Sequence, residues 1–240
     1  MERACLKSVL DQGHTLALYC YGEPAGVPDG VEIRDASTII PERSIIRHKT
    51  GSFALFSNWF RYELQRREAG TWVDCDVYLL APLDDASPCL FGEEAPGRIN
   101  TGVLRLPPDS PLLPPLLALF DERSVPPWLP FRSRTAARLR LWRGGRSGLA
   151  SMPWGSAGPN ALSYLAHRHG MSRFALPSET FYPVPWQDAL WITDPDRSLE
   201  AVVTPRTVAV HLWNERIKQV KDQPAHPGSF LARLQDEGRP

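Results

Sequence analysis

The sequence predicts an α/β fold in a single domain. Short apolar runs alternate with segments of helical periodicity along the chain. One apolar run ends in two acids directly after a long amphipathic helix. The 240 residues carry no internal repeat and no linker that would split them.

The elements follow in order. A helix runs from Glu2 to about Gln12, and a strand covers residues 15–21. A Gly- and Pro-rich loop leads to a short strand, 31–34. The long helix spans 52–69. Phe53, Phe56, Phe60 and Leu64 recur there at helical spacing and form a core stripe. Ser57 and Arg61 are an i, i+4 pair beside that stripe, and Gly70 supplies the stop. The acid-bearing strand follows, with further strands expected at 88–91 and 100–106. Helices are expected at 112–122 and 159–169, then short strands at 181–184 and 207–212. Residues 224–240 read as an irregular tail or a short terminal helix.

The acids are Asp74 and Asp76, in Trp72-Val73-Asp74-Cys75-Asp76-Val77. In an extended segment, side chains at i and i+2 share a side. Both carboxylates therefore face one point. Two hard oxygen donors suit Mg²⁺ or Mn²⁺ shared with substrate phosphates. The carboxyl end of a strand is also where open α/β sheets bind ligands. Alone, Asp-x-Asp is more often a turn or an exposed strand end. His211, at the end of a late apolar run, is a nitrogen donor of the right kind for Mn²⁺. Such a histidine is also commonly a packed core residue.

Composition is that of a globular enzyme and excludes little else. Lys and Arg number 27, as do Asp and Glu, so no global charge points to nucleic acid or acidic substrates. Cys5, Cys20, Cys75 and Cys89 lack metal-ligand spacing. With no signal peptide they read as reduced thiols in a cytoplasmic protein. No apolar run is long enough to span a membrane. Prolines cluster at 107–108, 114–115 and 126–127, where they punctuate segments. Arg132, Arg134, Arg138, Arg140, Arg143 and Arg146 form a basic run. It reads either as a solvated helix face or as a positive rim that meets anionic lipid at the inner face of a membrane. Nucleic acid is disfavoured, because no recognition module is present.

Ser57-Asn58-Trp59-Phe60-Arg61-Tyr62, the helix end at Gly70 and the Asp74–Asp76 pair together resemble the glycosyltransferase family with the DXD sugar-binding motif. That family includes capsular polysaccharide enzymes, α-1,4-galactosyltransferases and yeast mannosyltransferases. Gly13-His14 with Leu18-Tyr19-Cys20-Tyr21 resembles its second strand. Ile99-Asn100-Thr101-Gly102 resembles the strand after the acids. Trp154-Gly155 with Gly158-Pro159, Phe181-Tyr182-Pro183, and His211-Leu212-Trp213-Asn214 resemble later elements.

The resemblance implies a GT-A fold, a Rossmann-like mixed sheet flanked by helices. It implies transfer of a hexose from a nucleotide-diphosphate sugar to a glycan or glycolipid acceptor, with retention of configuration and Mn²⁺ or Mg²⁺ as cofactor. Asp74, Asp76 and His211 would then serve the metal. Ser57, Asn58, Arg61, Asp74, Asn100, Gly158, Pro159, Trp213 and Asn214 would serve the donor. The family usually has Asp where this chain has Asn58, which keeps hydrogen-bonding capacity without the charge. The family also opens with an apolar strand, whereas Met1 here falls inside the first helix. The expectation is either a start further upstream, with a strand of about five to six residues, or a protein lacking a central strand. Competing readings are a metal-dependent sugar-nucleotide hydrolase, a non-catalytic sugar-nucleotide binder, and an interaction protein built on the Pro-Pro segments.

Overall fold

A computed structural model describes residues 1–239. In chain order the helices and strands are α1 Glu2–Asp11, β1 Leu16–Cys20, β2 Val31–Asp35, α2 Ala54–Arg66, β3 Trp72–Val73, β4 Val77–Leu79, β5 Glu93–Ala95, β6 Arg98–Ile99, β7 Val103–Leu104, α3 Leu113–Leu117, α4 Phe131–Trp142, α5 Pro159–Arg168, α6 Ser178–Phe181, β8 Ala209–His211, α7 Asn214–Ile217 and α8 Phe230–Glu237. The chain divides into two compact units. The first holds residues 1–36, 73–86 and those from 176 onward; the second holds 37–72 and 87–175. The composition is mixed α/β, with strands paired two by two in small sheets.

In the first unit β1 runs parallel to β2, with Leu16 opposite Val31 and Cys20 opposite Asp35. None of the β1 residues is fully buried. β4 runs antiparallel to β8, with Val77 opposite His211 and Leu79 opposite Ala209. All six residues of this pair are buried. Helix α1 is tied to β4 by Ser8, whose Oγ accepts from Leu79 N–H at 2.9 Å. The core gathers Ala4, Cys5, Tyr78, Trp191, Val210, Leu212, Ile217, Phe230 and Leu234.

One expectation changes in this unit. Residues 181–184 are not a strand: α6 ends at Phe181. Pro183 and Pro185 follow it, and neither can donate to a ladder. Of the two readings for the end of the chain, the short terminal helix is the one present, as α8. Ser229 Oγ caps α8 by accepting from Ala232 N–H at 3.2 Å, and Phe230, Leu231 and Leu234 are buried. Trp191 stacks on Phe230 at 5.2 Å.

In the second unit α2 is buried around most of its circumference, with Leu55, Phe56, Phe60, Tyr62 and Leu64 all in the interior. Phe53 does not belong to that stripe. It is 46% exposed, ahead of the first helical turn, with the Arg47 guanidinium over its ring. The helix also stops before Gly70. It ends at Arg66, and Glu68 takes a left-handed φ of 53°. Gln65 secures the exit by donating to Gly70 C=O at 3.1 Å.

The strands expected at 88–91 and 100–106 are shorter than drawn. Leu90 makes one bridge to Arg105, and β5 pairs antiparallel with β6. Asn100 Oδ1 accepts from Gly102 N–H at 2.7 Å, a side-chain turn that interrupts the extended run. Residues 112–122 become the short α3 followed by a 3₁₀ turn over Ala118–Asp121.

Candidate metal and donor site

Asp74 and Asp76 do not lie in one continuous strand. Val77 N–H donates to Asp74 C=O at 3.0 Å, so the acids sit on a tight turn between β3 and β4. The turn still brings the carboxylates to one place. Asp76 precedes β4, and its backbone C=O accepts from Leu212 N–H at 2.8 Å, just past β8. The antiparallel register thereby delivers His211 to the acids. His211 Nε2 lies 3.5 Å from Asp76 Oδ1 and 3.9 Å from Asp74 Oδ2. One ligand atom from each of the three falls within 4.8 Å of the others.

The groups around this cluster hold it in shape. Asp76 Oδ2 accepts the backbone N–H of Asn214 at 2.7 Å, which leaves Oδ1 turned to His211. Trp213 takes a left-handed conformation, φ 56° and ψ 56°. A bulky aromatic residue rarely adopts it, and such strain concentrates at functional sites. The Trp213 ring is held by Nε1–H donating to Val184 C=O at 2.8 Å. It meets the His211 ring edge-on at 4.3 Å. Tyr182 packs on both rings, at 5.6 and 5.9 Å. Burial first, and the Asp76 carboxylate second, push the Cys5 thiol well above its ordinary value.

Two carboxylates and an imidazole form a donor set that suits Mn²⁺ or Mg²⁺. Carboxylates aimed at one point repel each other until a cation sits between them. A second sign of fit is Asn214 Oδ1, buried with no hydrogen-bond partner among the described residues. A buried acceptor without a partner calls for an explanation, and a donor group from a bound molecule is one.

A second set of expected residues gathers in the other unit, where it forms a tight internal network. Arg61 is 4% exposed. Its guanidinium donates to Ser57 Oγ at 2.9 Å, to Ser57 C=O at 3.2 Å and to Thr101 C=O, and it lies over the Trp72 ring. Asn58 donates to Ala54 C=O at 2.8 Å and accepts from Thr101 Oγ1 at 3.3 Å. Gly158 presses against Asn58: a Cβ there would lie 2.9 Å from the amide. Pro159 follows as the first residue of α5. Asn100 donates to Glu94, which also pairs with Arg98.

Sequence reasoning missed Thr101, which ties Arg61 to Asn58, and the packing role of Tyr182. Both stood inside the motifs that suggested the family, and neither is of a residue type that advertises a ligand. Trp154 is half exposed and lies edge-on to His48. His48 itself is buried, with Nε2 on Met152 C=O at 3.0 Å.

Residues 151–237 match a family model described as the alpha 1,4-glycosyltransferase conserved region. The match supports a glycosyltransferase family and a glycosyltransferase enzyme. Gly158, Pro159, His211, Trp213 and Asn214 fall within it, whereas Asp74 and Asp76 precede it. No curated protein and no solved structure matches the chain significantly.

Proposed function

From the alpha 1,4-glycosyltransferase conserved region that this chain carries, we propose a metal-dependent hexosyltransferase of GT-A type. Its donor is a nucleotide-diphosphate sugar, and its acceptor is a hydroxyl of a glycan or glycolipid. The observation that supports this most is the convergence of Asp74, Asp76 and His211. These three side chains would hold Mn²⁺ or Mg²⁺. When bound, the cation neutralises charge that develops on the leaving diphosphate.

The chain's own residues divide the remaining work. Asp76, fixed by Asn214 N–H, presents one oxygen to the cluster. Asp74, less buried than Asp76, is placed to meet a ribose hydroxyl or a water. Asn214 Oδ1, without a partner among the described residues, would accept a hydrogen bond from the donor. The Trp213 ring offers an apolar face suited to a sugar. Arg61 acts as a positioning residue: its guanidinium braces Ser57 and Thr101 and orders the loop that carries Asn100. Retention of configuration completes the reading.

The test is a panel of uridine and guanosine diphosphate hexoses, offered with Mn²⁺ and an oligosaccharide acceptor. Free nucleoside diphosphate and extended acceptor are measured together. Release of diphosphate without acceptor extension would assign the chain to the sugar-nucleotide hydrolases. Release with neither donor family would reject the transferase.

A further inference from the structure

Helix α4 is built the wrong way round for a surface helix. Its inward face carries only the small Ala137 as a buried residue. Its outward face carries Phe131, 73% exposed, Leu139, 44% exposed, and Trp142, 83% exposed. With Thr135 these occupy positions i, i+4, i+8 and i+11, a single ridge along the helix. At about 100° per residue, Arg132 and Arg143 flank the ridge on one side and Arg138 on the other. Those three arginines make no ion pair among the described residues. No Asp or Glu occurs anywhere between Glu122 and Glu179.

We propose that α4 docks this unit on an anionic lipid surface. The ridge of Phe131, Leu139 and Trp142 enters the headgroup boundary, while Arg132, Arg138 and Arg143 meet lipid phosphates. An exposed apolar ridge of this size loses water when it is covered. Trp and Phe favour the membrane–water interface, and arginine stems lie along apolar surface while their heads stay in water. Charge decides the occupant. A second copy of this chain would set arginines against arginines, and a neutral apolar partner would leave them unanswered. The binding is peripheral, since no helix among the described residues is long and apolar enough to cross a membrane. The helix lies outside the Asp74–Asp76–His211 cluster, so the proposal stands or falls independently of sugar transfer.

The test is co-sedimentation of the full chain with vesicles of phosphatidylcholine, alone or with about 30 mol % phosphatidylglycerol. Binding to the anionic vesicles should be about a hundredfold tighter. Each arginine near such a surface contributes about fivefold. Joint replacement of Arg132, Arg138 and Arg143 by Gln should therefore weaken binding about a hundredfold. The pair Phe131→Ser and Trp142→Ser should weaken it by about tenfold or more, with an unchanged circular-dichroism melt. Brominated lipid should quench a share of the tryptophan fluorescence that Trp142→Phe removes while binding persists. Equal binding to neutral and anionic vesicles, or binding indifferent to both sets of substitutions, would overturn the proposal. So would ridge-dependent self-association, or capture of a protein partner, without vesicle binding.

Discussion

The backbone N–H of Asn214 donates to Oδ2 of Asp76 at 2.7 Å, across 138 residues of sequence. This bond ties one acid of the turn to the start of α7. It depends on the left-handed backbone at Trp213, which swings the next N–H toward the carboxylate. Strain at Trp213 thus accompanies a fixed orientation of the Asp76 carboxylate.

Replacing Trp213 tests that dependence. Trp213→Ala loses the Nε1 bond to Val184 and the ring contacts with His211 and Tyr182. A cost of about 2–4 kcal/mol is expected in chemical denaturation. Donor turnover should fall further than stability alone accounts for. A change under about 0.5 kcal/mol would show that the ring carries no packing role.

Asn214→Ala separates binding from stability. The substitution removes an acceptor that has no partner among the described residues. Stability should stay within about 0.5 kcal/mol of the wild type. Transfer should drop about tenfold or more, because an unmade hydrogen bond to ligand is lost. Unchanged transfer with a clear loss of stability would reverse this assignment.

Gly158 and Asn58 should behave as a coupled pair. Gly158→Ala forces a Cβ to within 2.9 Å of the Asn58 amide, at a cost of about 1–3 kcal/mol. Asn58→Ala alone removes the amide oxygen that Thr101 Oγ1 donates to, also at about 1–3 kcal/mol. Together the two changes should cost less than their sum, since the second makes room for the first. Additive effects in a double-mutant cycle of urea melts would place the two residues apart.

The far end of the chain should matter to the fold. Leu234 is fully buried in α8. Leu234→Ala should cost about 2–5 kcal/mol by urea denaturation. A loss below about 0.5 kcal/mol would mark this helix as dispensable.

The sequence carries the fold unevenly. Helices α2 and α5 show sustained periodicity, and their existence is legible from Phe56, Phe60 and Leu64 or from Leu162 and Leu165. Strands of two or three residues, such as β4 and β8, offer too little alternation to define their ends. The turn at Asp74 and Asp76 looks extended in sequence because Val73 and Val77 flank it, yet the hydrogen bond to Val77 bends it. The spacing of the acids says that they can share a point. The resemblance implies that His211 joins them, and the pairing of β4 with β8 brings its ring to the same place. The arginine run had two readings in sequence, and neither could include the exposure of Phe131 and Trp142, a matter of tertiary packing. Arg61 reads as a donor-binding residue by charge and by resemblance, and its bonds to Ser57 and Thr101 are beyond what sequence spacing shows.

The central claim is a cation held by Asp74, Asp76 and His211 for the donor diphosphate. Calorimetric titration of a uridine or guanosine diphosphate sugar, with and without Mn²⁺, tests it most directly. Wild type should bind donor strongly only with Mn²⁺. Asp76→Ala should abolish that dependence, and Asp76→Asn should do the same while keeping an acceptor for Asn214 N–H and an intact circular-dichroism spectrum. Equal Mn²⁺-dependent affinity in wild type and in both variants would contradict the claim.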